Sequence, residues 1–523
     1  IMKITRSQIT TVLAALLLMS VSAAAWAQET RLQTESEFQE LMPISGEVET
    51  FFGKFELDHS FPTKKTADDI YDLMDHQRAS QLYLWSLPIV GTARIRLGLH
   101  EGLEGYEDNR FATIRRFNER RGFLTPNEST VYFLSTADTS KSAVVLDVPP
   151  GKIVGMVVDS WQESPADVGL FSEQRGTGGK HVFIGPNTPM DTIPEPKSSL
   201  DDFHIHHVKT NHIQILGRII GTDEEVEQLS RQFRMRYHGD EPNIEHIDMQ
   251  DRFLPTYQPR GLAYWQILHR AINDEIVQER DRFFMAWLKS LGIEKGKPFN
   301  PTERQKKILI DGAKQGELMA RTLVYDERMD GVLRQNNWRM ILGGEWGDGI
   351  KFSQRMKYYD TFDPRARYTF EAVMTSPAMT IPRPGISQAY IGKFEDEDGG
   401  RLLGENNYVI RINKDVPASL FWSIVIYDAD TRCLIDNRNE QGEGKATVGS
   451  RTKGLRENSD GSFYMLLGPG NPPRGWEANY VRTLPGRGWF PYMRAYGAGK
   501  EFFDDTYRLP TVNGVKDFSE YDE

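Results

Sequence analysis

The feature that most constrains how this chain folds is a change of texture that happens twice, from β-rich to helical and back. Between Ser129 and Gly221, short runs of β-branched and aromatic residues fall at Thr130–Leu134, Ala143–Val148, Lys152–Asp159, His181–Ile184 and Ile213–Ile219. Pro149-Pro150-Gly151 and Gly176–Gly179 punctuate them. Short strands at such spacing predict a sandwich or barrel rather than βαβ units. Thr222 to Asn336 reads as helical, and Ile386 to Glu523 returns to strands at Tyr408–Asn413, Leu420–Tyr427 and Ser462–Leu467. Asp460-Gly461 there is a hairpin-type turn signal. The expected fold is mainly β with helical segments (α+β): two β-sandwich, jelly-roll-like domains joined by a helical region. The expected boundaries are a leader over 1–27, a polar lead over 28–66, a first sandwich over 67–221, a helical connection over 222–345 and a second sandwich over 346–523.

Local signals refine this plan. Phe51, Phe52 and Phe55 offer packing anchors in the polar lead. Ala67 to Val90 has helical spacing (Ile70, Leu73, Met74, then Leu82, Trp85), and Pro88 is expected to limit that helix. Asp223-Glu224-Glu225 opens a helix with the acids that suit its positive end. Tyr264 to Leu291 carries apolar residues at helical spacing. Asn300-Pro301-Thr302-Glu303 reads as a capped helix start, followed by a stripe of Leu309, Ala313, Gly316 and Ala320. A Gly- and Trp-rich linker follows near Trp338–Gly349.

The first 27 residues predict where the protein works. Lys3 and Arg6 precede an apolar run from Val12 to Met19, and Ala25-Trp26-Ala27 makes an A-x-A cleavage site. This is the layout of a secretory signal peptide, and the run is shorter than the ~20 residues a membrane-spanning helix needs. The expected address is periplasmic or secreted, with no membrane-spanning segment. A net charge of −11 repels phosphate backbones, which argues against a nucleic-acid partner. Cys433 is the one cysteine, so no internal disulfide forms and stability rests on packing. Its β-like surroundings, Arg432-Cys433-Leu434-Ile435, favour a buried inert thiol.

Thr125-Pro126-Asn127-Glu128-Ser129-Thr130-Val131-Tyr132 resembles the Thr-Pro-Asn-x-Asp-Thr-x-Tyr signature of the domain of unknown function 1254. Asp159-Ser160-Trp161, the Gly176–Gly179 loop, Gly185-Pro186 and Gly217-Arg218 follow in that family's order. The C-terminal part resembles the domain of unknown function 1214. It carries Asp398-x-Gly400, Leu403-Gly404, Tyr408, Pro417, Phe421-Trp422, Tyr427-Asp428 and Asp436-Asn437, then Asp460-Gly461-Ser462, Gly468-Pro469, Asn479 and Arg494-Ala495-Tyr496. Glu128-Ser129 stands where the family usually has Asn and Asp, and Asn479-Tyr480 where it has Asn-Trp. The resemblance implies two jelly-roll-like sandwiches with helices around them, often in exported bacterial proteins, and it brings no catalytic residues.

Candidate sites follow from residue chemistry. Asp159 with Trp161, and Trp422 with Tyr427 and Asp428, set carboxylates beside aromatic faces, a pairing suited to sugars or to glycoside hydrolysis. Asn127, Thr130, Asp159, Asn479 and Arg494 form a polar string that, with Tyr132, Trp422 and Tyr427, is expected to line one ligand pocket. His204 and His206 share one face of a strand, with His207 on the other and His212 beyond, the weak metal candidates of this chain. No H-E-x-x-H or G-x-S-x-G occurs, and Gly176-Thr177-Gly178-Gly179-Lys180 runs into His181 rather than the Ser or Thr of a phosphate loop. The acidic stretch Glu395–Asp398 lacks the spacing of a calcium loop. No cofactor is expected. Three function classes stay open: a hydrolase or lyase acting on envelope, glycan-like or small-molecule material, a binder of a small molecule or glycan, and a homo-oligomeric assembly protein.

Overall fold

The computed structural model describes residues 34–194, 203–241, 246–326, 328, 333–342 and 357–521. The leader read at 1–27, and most of the linker read near 338–349, lie outside them. The described residues up to Met74 and those from Asp75 onward form two compact units. In the first, α1 (Glu35–Leu41) opens on a capping box: the Glu37 N–H donates to the Thr34 hydroxyl and the Thr34 N–H to the Glu37 carboxylate. Strands β1 (Gly46–Thr50), β2 (Gly53–Asp58) and β3 (Phe61–Pro62) form an antiparallel meander. Phe51 and Phe52, expected as anchors, are exposed at the β1–β2 turn, and Phe55 is half-buried.

The long helix α2 (Lys64–Gly102) begins in the first unit and continues in the second. Pro88 does not end it. Ile89, Val90, Ile95, Leu97 and Leu99 beyond the proline are all buried, and that packing outweighs the single backbone hydrogen bond a proline removes. The Pro88 carbonyl, in turn, accepts from Gln162 Nε2 at 3.0 Å.

The first sandwich pairs a six-stranded sheet with a four-stranded one. The larger runs β13 (Ile247–Asp248), β4 (Ala112–Ile114), β5 (Val131–Asp138), β11 (His212–Ile219), β7 (Ile153–Asp159), β8 (Ala166–Gly169). The smaller runs β10 (Phe203–His207), β9 (Gly179–Ile184), β6 (Val144–Val148), β12 (Arg234–Tyr237). Phe133, Val157, Ile213 and Ile215 meet Val144, Leu146, Phe183 and Met235 between them. The two-residue strand period sends Tyr132, Leu134, Leu216 and Arg218 to the other face of the larger sheet. There Tyr132, Leu134 and Met156 pack with Ile95 and Leu99 of α2 and with Met374.

The second sandwich has a five-stranded sheet, β14 (Arg339–Met340), β15 (Gln388–Gly392), β21 (Trp489–Ala498), β17 (Ala418–Asp428), β18 (Thr447–Gly449). Its partner sheet runs β20 (Tyr480–Arg482), β19 (Phe463–Gly468), β16 (Asn407–Ile412), β22 (Thr511–Val515). Ile424, Ile426, Met493 and Ala495 share a core with Ile410, Ile412, Met465 and Leu467. Alternation along β21 therefore puts Tyr492, Arg494 and Tyr496 on the opposite face of that sheet from Met493 and Ala495.

Short helices α3 (Phe117–Arg120), between β4 and β5, and α4 (Asp223–Ser230), between β11 and β12, interrupt the first sandwich in sequence, and α4 starts where expected, on a Thr222 capping box. The stretch from Tyr264 to Leu291 is two helices, α5 (Leu262–Asp274) and α6 (Arg282–Ser290). They part at Glu275, whose buried carboxylate accepts from Ser160 Oγ and the Asn211 N–H, each at 2.6 Å. Helix α7 (Glu303–Tyr325) is capped by Thr302, two residues later than the expected Asn300, because Gln305 completes a capping box with the threonine. It meets α2 glycine-first: a Cβ on Gly312 would lie 2.3 Å from that of Ala79, and one on Gly316 2.5 Å from that of Tyr83. Helices α8 (Phe362–Glu371) and α9 (Pro377–Thr380) lead into the second sandwich. The molecule is mixed α+β. Among the described residues no helix is long and apolar enough to cross a membrane.

Candidate functional site

The outward faces of the two larger sheets meet across an internal cavity of about 70 Å³. Tyr132 and Arg218 are direct cross-strand partners on the first sheet, and Tyr390 and Arg494 are on the second. These four, with Met156, Leu216, Met374 and Tyr492, stand in the cavity wall. A water molecule needs roughly 10–15 Å³ on such a measure, so the space admits a group of several atoms.

Residues 125–127 thread along the seam and tie it shut. The Thr125 N–H donates to the Arg432 carbonyl at 2.8 Å, and the Tyr427 hydroxyl donates to the Pro126 carbonyl at 2.6 Å. Arg494 Nη2 donates to the Thr125 carbonyl and, at 2.9 Å, to the Tyr427 hydroxyl. Asn127 is used on every side. Its N–H donates to the Tyr132 hydroxyl and its Nδ2 to the Tyr496 hydroxyl, each at 2.7 Å, while its Oδ1 accepts from the N–H and hydroxyl of Ser129.

Two buried guanidiniums dominate the electrostatics. Arg218 is 6 % exposed and Arg494 5 %. Neither forms an ion pair with a carboxylate among the described residues. Aromatic rings surround them instead: Arg218 lies 5.0 Å from the Tyr132 ring and 5.5 Å from Tyr496, and Arg494 4.8 Å from Tyr390 and 5.6 Å from Tyr492. Burial acts to discharge both arginines, but the neighbouring phenols outweigh it and hold each above its ordinary value. Among the described residues Arg218 makes one hydrogen bond, from Nη1 to the Tyr496 hydroxyl at 2.7 Å, and Arg494 Nε has no partner. Buried charges are ordinarily paired. Here two cations of like sign share one cavity wall that holds no carboxylate among the described residues, an arrangement suited to receiving an anion.

Of the residues singled out in the sequence, Asn127, Tyr132, Tyr427 and Arg494 come together here. The others lie elsewhere. The Thr130 carbonyl accepts from Arg120 Nη2 at 2.7 Å, and its buried hydroxyl has no partner among the described residues. Asp159 accepts from the N–H groups of Trp161 (2.9 Å) and Glu163 (2.8 Å), closing a turn, and burial with the nearby Glu163 charge pushes its carboxyl up to about 8. Trp161 packs on Trp85, ring centroids 5.1 Å apart. Trp422 lines a separate pocket of about 180 Å³ with Glu128, Ser129 and Arg451. Asp428 accepts from the N–H groups of Asp430 and Thr431, both at 2.9 Å, and pairs with Arg487 at 2.6 Å. Asn479 accepts from the Arg456 N–H and donates to the Arg456 and Tyr464 carbonyls.

His204 and His206 do share a face of β10, together with His181 of the parallel neighbour β9. The His181 ring stacks on His206 at 5.2 Å, with Nδ1 of the former 3.0 Å from Nε2 of the latter. Among the described residues no group of three or more His, Cys, Asp or Glu is placed to hold a metal ion.

Arg218, Tyr390 and Tyr496 were not expected at the site. Their signal lay in the strand alternation, since Tyr492, Arg494 and Tyr496 are spaced by two, as are Leu216 and Arg218.

No curated protein matches the chain. Among solved structures, the VPA0106 protein from Vibrio parahaemolyticus is similar at 20 % identity over 84 % of this chain and 100 % of that one, with a TM-score of 0.49. A putative uncharacterized protein from Burkholderia cenocepacia is similar at 10 % identity over 86 % of this chain and 96 % of the other, TM-score 0.38. Two family profiles match the sequence itself. Residues 109–237 match the family described as a protein of unknown function, DUF1254, and residues 387–500 match that described as a protein of unknown function, DUF1214. The first span covers all but one short strand of the first sandwich and the second span the central strands of the next, so the chain carries the DUF1254 and DUF1214 domains in tandem.

Proposed function

We propose that this chain is an exported protein whose seam cavity receives the acidic group of a small organic anion, with the apolar part of that ligand against Met156, Leu216 and Met374. The observation that carries the reading is the pair of buried guanidiniums, Arg218 and Arg494, without carboxylate partners among the described residues. An anion between them would offset like charges in a poorly solvated space and give Arg494 Nε an acceptor. Export is supported by the leader-like first 27 residues. Binding is favoured over carboxylate-driven hydrolysis because Asp159 and Asp428 each spend lone pairs on backbone N–H groups in separate turns.

The test is calorimetric titration of the full chain with straight-chain monocarboxylates from acetate to hexanoate, beside native mass spectrometry of the protein as purified. Saturable binding to wild type, weakened about tenfold or more in Arg494→Gln, is expected. Absence of binding across the series, with no co-purified anion, would overturn the reading.

A further inference from the structure

The tyrosines around the two arginines differ in one respect, the fate of the phenol proton. Tyr390 donates it to Gln388 Oε1, Tyr427 to the Pro126 carbonyl, Tyr492 to the Glu371 carboxylate and Tyr368 to the Met374 carbonyl. Tyr132 lines the cavity, and its hydroxyl accepts from one neutral donor, the Asn127 N–H at 2.7 Å, with no guanidinium bonded to it among the described residues. Tyr496 is 1 % exposed and has only donors around its oxygen: Arg218 Nη1 and Asn127 Nδ2, each at 2.7 Å. No acceptor for its own proton is in reach among the described residues.

Asn127 cannot supply one by turning its amide over, because its Oδ1 already accepts twice from Ser129. The groups that face Tyr496 are Arg218 on β11, with Tyr132 of β5 beside it, Arg494 on its own strand, Tyr390 on β15 at 6.2 Å between rings, and Asn127 in the loop. From β17 come Phe421, stacked on the ring at 4.1 Å, and the more distant phenol of Tyr427. Burial pushes a phenol up, but Arg218 and then Arg494 outweigh it here and bring Tyr496 below its ordinary value, whereas Tyr390 and Tyr427 are pushed up.

We propose that Tyr496 is ionised in the folded protein and serves as the internal counterion of Arg218 and Arg494. The two guanidiniums and the phenolate then sum to one positive charge rather than two, and the ligand they select is a monoanion. Tyr496 is thus a specificity-determining residue that acts through the arginines. This inference rests on the anion-cavity reading and sharpens it.

Ultraviolet difference spectra of wild type against Tyr496→Phe, and the Cζ resonances of isotope-labelled tyrosine in wild type, test it at neutral pH. One ionised tyrosine is expected in wild type and none in Tyr496→Phe. Asn127→Asp keeps the side-chain shape but offers the phenol an acceptor, so the ionised signal should vanish there as well. A wild-type protein whose tyrosines are all neutral overturns the proposal without any variant having to fold. For selectivity, wild type should prefer butyrate to succinate, and Tyr496→Phe should shift that ratio toward succinate on the order of tenfold; an unchanged ratio counts against the specificity role. An ionised Tyr496 in a protein that binds neither acid sinks the cavity reading alone, and binding beside a neutral Tyr496 sinks this inference alone.

Discussion

Three residues show how burial decides chemistry in this chain. Cys433 is 2 % exposed, and burial pushes its thiol up to about 12, so it is predicted to resist alkylation until the protein unfolds. Mass spectrometry after iodoacetamide, with and without denaturant, reads this directly. Asn127 spends its N–H, both ends of its amide and its place in the chain on holding the seam. Asn127→Ala strands the Ser129 N–H and is expected to cost about 1–3 kcal/mol in urea unfolding. Asp159 has a folded value near 8 against an unfolded one of about 3.9. Between those values the unfolded chain has released the proton and the folded chain keeps it, so this group's contribution makes stability fall as pH rises through that window. Asp159→Asn still accepts both turn N–H groups and should remove that slope, seen as a wild-type-minus-variant difference in urea midpoints across a pH series.

At the scale of elements, the two-residue strand period explains both what the sequence disclosed and what it hid. Runs such as Ile213–Ile219 were legible as strands because one face is aliphatic and buried between sheets. The opposite face carries Gln214, Leu216 and Arg218, which resembles a solvated edge until a second sheet is laid over it. Nothing local announces that partner, so Arg218 and Tyr496 stayed hidden while Asn127 and Arg494 did not. Asp159 and Asn479 looked functional for the opposite reason: turn-capping side chains and ligand-binding ones are the same residue types. The Pro88 reading failed because tertiary burial overrode a local rule.

The parallel pair β9–β10 offers a pH test at this scale. Burial, reinforced by the neighbouring imidazoles, brings His181 down to about 3 and His206 to about 4. Below about 6.5 the unfolded chain takes up protons that the folded one refuses, so stability falls as pH drops toward 4. His206→Phe, which keeps the stack on Phe183, should flatten that fall in thermal unfolding curves. Helix α7 offers a packing test: Gly316→Val drives a side chain into Tyr83 and is expected to destabilise by about 1–3 kcal/mol.

At the scale of the molecule, the two family domains are not beads on a string. A single apolar cluster runs from α2 through α5, α7 and α8 into both sheets of the second sandwich, and residues 125–127 bond directly to Arg432, Tyr427 and Arg494. Residues 75–523 are therefore predicted to unfold in one transition, with circular dichroism and tryptophan fluorescence giving coincident curves. Two separated transitions would show that the seam contributes little cohesion. The place of the cavity has a thermodynamic corollary. A ligand held there touches both halves, so it acts as a rivet, and whatever binds the folded seam raises its resistance to parting by RT ln(1 + [L]/Kd), about 2.7 kcal/mol at a hundredfold excess over Kd. Affinity and the cohesion of the seam then become one quantity, and the melting temperature of the intact chain becomes a sensor for any molecule that enters the cavity.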